Sequence, residues 1–131
     1  MSKVAVTAVA HLLRAQTSIE ERLTNSISAI HGVSLRELMV LMFLENAPAT
    51  RMSRVELARC MNVSASTITR QLAPMTKIGL VDKATDPRDA RLSYVVLSKA
   101  GARLAKDARK SLEASAREVF KDRWLSEEIS Q

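Results

Sequence analysis

Two serine–glutamate pairs in the spacing S-x-x-E, Ser34 with Glu37 and Ser53 with Glu56, constrain this chain more than any other feature. In that spacing the serine hydroxyl accepts the backbone N–H three residues on. The glutamate reaches back to the serine's own N–H, so each pair marks the start of a helix. The first opens SLRELMVLMFLE, which is apolar nearly all round and so belongs at the centre of a core. Asn46-Ala47-Pro48 stops it. The second opens SRVELARCM, a short helix ending near Met61. Asn62-Val63 then forms a tight turn, and Ser64 is placed to cap a further helix that runs to about Ile78 and is closed by Gly79. After it, LVDKAT reads as a strand, DPRDA as a turn and RLSYVVL as the returning strand.

Longer helices flank this core. From Val4 to Ile30 apolar residues recur at Val9, Leu12, Leu13, Ile19, Leu23, Ile27 and Ile30, a stripe of roughly seven turns ended by His31-Gly32. Ser98 can cap KAGARLAKDARKSLEASAREVF, whose stripe is Leu104, Ala105, Ala108, Leu112, Ala116 and Val119. The tail KDRWLSEEISQ is polar, with Trp124 as its one large anchor. With 131 residues, 47% of them hydrophobic and 26% charged, the chain suits one globular domain. No apolar run approaches the roughly 18 to 20 residues that span a bilayer. MSKVAVTAVAHLLRAQ lacks a clear cleavage site, so the expectation is a mature cytoplasmic protein.

Several function classes find no support. The one cysteine forms no internal disulfide, and within VELARCM it reads as a small buried thiol. His11, His31 and Cys60 give no metal-ligand spacing. No cofactor motif, paired carboxylates, nucleophile–base spacing or Gly-rich phosphate loop is present, so no catalytic residue is expected.

The order short helix, tight turn, second helix, β-hairpin defines a winged helix-turn-helix, mainly α with a small hairpin wing. In it the second helix lies in the DNA major groove and the hairpin projects beside it. That accounts for SASTITRQ at positions 64–71, where a helix built only for stability would carry Ala, Glu and Lys. The short hydroxyls of Ser64, Ser66, Thr67 and Thr69 permit close approach and donate to phosphates, aided by the helix N-terminus. With Ile68, Leu72 and Met75 inward, Ser66, Thr67, Arg70 and Gln71 are expected to point outward. Arg70 can reach guanine O6 and N7, and Gln71 can pair with adenine. Whether each reads bases or grips phosphates stays open at this level. A merely solvated helix face is the competing reading. Against it, residues 51–99 hold nine basic and four acidic side chains, a net +5, while the rest of the chain carries +1. Pro74 either bends this helix or marks an early end.

The stretch DPRDARLSYVVLSKAG resembles the wing signature of the MarR family of bacterial transcriptional regulators, and ELARCMNVSASTITRQLAPMTKIGLV resembles its helix-turn-helix. The resemblance covers roughly Ser34 to Phe120. It implies that Arg91 enters the minor groove and that Asp89 orients it, whereas a turn-stabilising salt bridge is the plainer alternative. Ala90 departs from the family's first basic position, and Arg88 can compensate. The resemblance further implies a homodimer on a pseudo-palindromic double-stranded DNA operator. Residues 1–31 and 99–131 would supply the dimerisation helices and 34–98 the DNA-binding lobe. A repressor released by a small-molecule effector, with no cofactor, metal or membrane partner, is the implied function. His11, Arg14 and His31 are polar groups available near the expected effector crevice, with ordinary surface the plainer reading of each, and Cys60 does not match the oxidation-sensing pattern. LSEEISQ resembles the start of a final helix that members usually continue; either dimerisation relies on the other two helices or the chain is cut short. A winged-helix protein-interaction module without DNA binding is the alternative reading.

Overall fold

A computed structural model describes residues 2–89 and 91–121. The elements are α1 (Ser2–His31), α2 (Leu35–Asn46), a single 3-10 turn (Pro48–Thr50), β1 (Arg51–Ser53) and α3 (Arg54–Met61). They continue with α4 (Ala65–Lys77), β2 (Val81–Thr85), β3 (Ser93–Leu97) and α5 (Lys99–Lys121). The tail with Trp124 lies outside the described residues. No single described helix is long and apolar enough to cross a membrane.

The chain divides into two compact units. Of the described residues, one comprises 2–35 together with 109–121; the other runs from Arg36 to Ala108. The boundary therefore falls inside α5, whose first turns belong with the winged segment.

In the first unit, the second half of α1 meets the second half of α5. Leu23, Ile27 and Val119 are buried. Two polar ties fix the pairing: the Ser26 and Ser115 hydroxyls lie 2.6 Å apart, and His31 Nε2 lies 2.7 Å from Ser111 Oγ. The first half of α1 is different. Val4, Val6, Val9, Leu12 and Leu13 are each more than half exposed, a run of apolar surface that water does not favour.

In the second unit, α2 supplies Leu38, Val40, Leu41 and Leu44, all fully buried. This is what its apolar sequence predicts. Leu57 of α3, Ile68, Leu72 and Met75 of α4, and Val81, Val95 and Leu97 of the strands complete the core. Both serine caps near the turn form. Ser53 Oγ accepts Glu56 N at 3.1 Å while Glu56 Oε1 accepts Ser53 N at 3.4 Å, and Ser64 Oγ accepts Thr67 N at 3.2 Å. Asn62 turns the chain between α3 and α4 in the left-handed region, at φ 56°.

The sheet holds three strands in the order β1-β3-β2, all antiparallel. The hairpin pairs Val81 with Leu97 through to Thr85 with Ser93. The third strand, β1, pairs Arg51 with Val96 and Ser53 with Tyr94. Its residues, Arg-Met-Ser, carry no β-branched or alternating signal, so only the long-range pairing reveals it.

Pro74 neither ends α4 nor shortens it, and three helical residues follow. It sits on the exposed side, where the Arg70 carbonyl that its missing N–H would have bonded is open to water. Beyond it the helix closes in a Schellman arrangement: Leu80 N donates to Met75 O and Gly79 N to Thr76 O, with Gly79 at φ 81°. Cys60 is exposed, contrary to the expectation of a buried thiol. α3 buries Leu57 and Ala58, and a residue two positions past Ala58 is turned to the opposite side of the helix.

Candidate nucleic-acid interface

Two elements of the second unit carry the predicted site residues. On α4, the buried stripe Ile68, Leu72 and Met75 leaves Ser64, Ser66, Thr69 and Arg70 exposed and Thr67 half-buried. The hydroxyls form a local chain: Ser64 Oγ lies 3.1 Å from Ser66 Oγ and 2.9 Å from Thr67 Oγ1. Arg70 leans on this chain through an Nη2 donation of 3.4 Å to Thr67 Oγ1. Its guanidinium keeps its other donors free of that contact.

Two side chains of α4 depart from expectation. Gln71 does not point outward; it is half-buried, and its Oε1 is fully buried without a hydrogen-bond partner among the described residues. With that oxygen covered, the amide does not present its acceptor to adenine in this conformation. The Thr69 hydroxyl donates to Ala65 O at 3.0 Å, the back-bond that a threonine in mid-helix readily makes. Its hydrogen is thus engaged and is not available to a phosphate. Its oxygen accepts Arg54 Nη1 at 3.4 Å, a contact that sequence reasoning missed. The signal for Arg54 was its place in the first turn of α3, where a cation opposes the helix dipole.

The wing tip is organised by two aspartates. Asp86 Oδ1 accepts Arg88 N at 2.7 Å, and Asp89 Oδ1 accepts Arg91 N at 3.0 Å, two Asx turns in succession. The Arg91 guanidinium forks onto the Asp89 carboxylate, Nε to Oδ1 at 3.1 Å and Nη2 to Oδ2 at 3.3 Å. Yet the Arg91 side chain is 90% exposed. It is held in place but not covered. Arg88 is also exposed, and Ala90 lies outside the described residues.

The Arg91 side chain, and secondly its backbone N–H, hold the Asp89 carboxyl below its ordinary value of 3.8. The sign follows directly. A depressed carboxylate stabilises the folded turn above the ordinary value and loses that contribution as pH falls through the lowered one. The fork therefore stays closed at neutral pH. In an NMR titration the Asp89 carboxyl carbon should show a midpoint below 3.8, and Arg91→Ala should raise it part of the way back, since the backbone donor remains. A midpoint unaffected by the substitution would mean that the fork does not persist in solution.

A three-helix core with a helix-turn-helix and a strand-paired hairpin beside it defines a winged helix-turn-helix protein. Comparisons with known proteins narrow the class. A sequence profile described as MarR family matches residues 31–92. An uncharacterized HTH-type transcriptional regulator of Mycobacterium bovis is 34% identical over 98 residues, covering 75% of this chain and 61% of that protein. The chain thus spans about three fifths of that relative's length. Among solved structures, a MarR family transcriptional regulator from Streptomyces coelicolor in complex with DNA superposes with a TM-score of 0.80. It is 22% identical and covers 86% of this chain and 70% of that one. A mutant MarR from E. coli complexed with operator DNA gives 0.81 at 20% identity, covering 93% of this chain and 86% of that one. Over its winged segment the chain is thus similar to the MarR family, and over three quarters of its length to an HTH-type transcriptional regulator.

Proposed function

We propose that this chain is a sequence-specific, double-stranded DNA-binding transcriptional regulator, acting as a homodimer on a pseudo-palindromic operator. We further propose that it represses transcription and is released by a small-molecule effector. The observation that carries the reading is the Arg91–Asp89 fork: a guanidinium oriented by two hydrogen bonds yet almost wholly exposed. An ion pair this exposed is screened by solvent and does little for the stability of the turn. A pre-oriented arginine loses less entropy on insertion into a narrow minor groove, where negative potential is concentrated. The same unit presents Ser64, Ser66 and Arg70 on α4, within the +5 segment.

Recovery of bound fragments from sheared genomic DNA tests the reading, and enrichment of one inverted-repeat sequence is expected. Recovery of no DNA above background would favour the protein-interaction alternative. On the recovered duplex, Arg70→Ala should change which bases are preferred at one position per half-site, at about 1–3 kcal/mol for the favoured base. An equal loss on every sequence would recast Arg70 as a phosphate contact.

The homodimer rests on the exposed apolar run of α1, which a second copy would remove from water. Leu12→Glu combined with Leu13→Glu should convert a dimer to a monomer in sedimentation. An unchanged sedimentation coefficient would place the interface elsewhere.

A further inference from the structure

We propose that Arg54, in the first turn of α3, is a DNA phosphate-contacting residue braced in position by Thr69 of α4; this rests on the DNA-binding reading above. Three observations support it. Arg54 places a cation at the positive end of a helix, an arrangement that costs stability unless an anion completes it. No ion pair with a described residue neutralises it, and Glu56, the nearest acid in sequence, is engaged by the Ser53 N–H and hydroxyl at 3.4 and 3.0 Å. Finally, the guanidinium is tied across the helix-turn-helix to the very helix that carries the proposed base-reading face, through Nη1 to Thr69 Oγ1 at 3.4 Å.

The hydrogen-bond directions agree. Because the Thr69 hydroxyl gives its hydrogen to Ala65 O, its oxygen is left to accept, and Arg54 supplies the donor. One of five guanidinium N–H groups is used in this way, which leaves a planar fork for phosphate oxygens. Thr69 then acts as a positioning residue and not as a phosphate donor. Its hydroxyl sets where the charge sits.

Salt titrations of anisotropy on the recovered operator and on a scrambled duplex test this. With wild-type protein, the affinity should fall log-linearly with salt. Arg54→Gln should weaken both duplexes alike, by about three- to tenfold at physiological salt, and should reduce the slope by about 0.9, the value for one phosphate contact. Arg54→Lys should retain the slope. Thr69→Val should weaken binding less than Arg54→Gln while leaving the slope unchanged. A wild-type slope that Arg54→Gln does not reduce, in a variant folded by circular dichroism, would overturn the assignment while leaving the DNA-binding reading intact. A flat wild-type titration would overturn both.

Discussion

Replacing Arg91 by alanine is expected to lower affinity for the operator at least about tenfold, within the ~1–3 kcal/mol range of a groove contact. The fold should be unaffected, because the side chain is 90% exposed and its partner among the described residues, Asp89, lies outside the core. The loss should come from two sources. One is the direct attraction between the guanidinium and the groove. The other is the order already present in the wing, since Asp89 Oδ1 also accepts the Arg91 N–H and fixes the backbone from which the side chain projects. Affinity equal to wild type, with circular dichroism unchanged, would remove Arg91 from the mechanism and leave the fork a turn ornament.

The second large effect is on stability. Gly101 lies in the first turn of α5, where alanine would ordinarily stabilise a helix by about 1 kcal/mol. Here the sign should reverse. A Cβ at this position would overlap the Leu80 carbonyl oxygen and sit 2.8 Å from Leu97 Cδ1. The carbonyl cannot retreat freely, because it accepts the Ser98 N–H at 3.1 Å and shares the Ser98 hydroxyl, at 2.9 Å, with the Gly79 carbonyl at 2.6 Å. That hydroxyl is also the cap of α5, accepting Gly101 N at 2.9 Å. Displacing Leu80 therefore loosens the cap and the end of the hairpin together. Gly101→Ala should cost about 2–3 kcal/mol, in the range for overpacking a core, and lower Tm by ~10 °C. A Tm equal to or above wild type would show that the helix and the hairpin can separate without loss.

Much of this architecture was legible because its signals are local. Serine caps, the Asn62 turn and Gly79 each act within a few residues, so α3, α4 and the hairpin could be placed from sequence. β1 was not legible, since Arg51–Ser53 becomes a strand only by pairing with residues over forty positions away. At the site, the fork between Asp89 and Arg91 could be foreseen from a motif. The choices made by Gln71 and Thr69 could not. An amide can turn inward and a threonine can bond back to its own helix without any change in the hydrophobic pattern. Arg54 was hidden for a related reason, because its meaning depends on a residue fifteen positions along that only the turn brings near. The constraint on Gly101, the Leu80 carbonyl, appears only in three dimensions.

Methylation interference on the recovered duplex would probe both grooves in one experiment. If α4 occupies the major groove and Arg91 the adjoining minor groove, methyl groups on guanine N7 and on adenine N3 should both be depleted from the bound fraction. Arg91→Ala should abolish only the adenine N3 effect. Bound and free DNA carrying the same methylation pattern in both grooves would contradict the account.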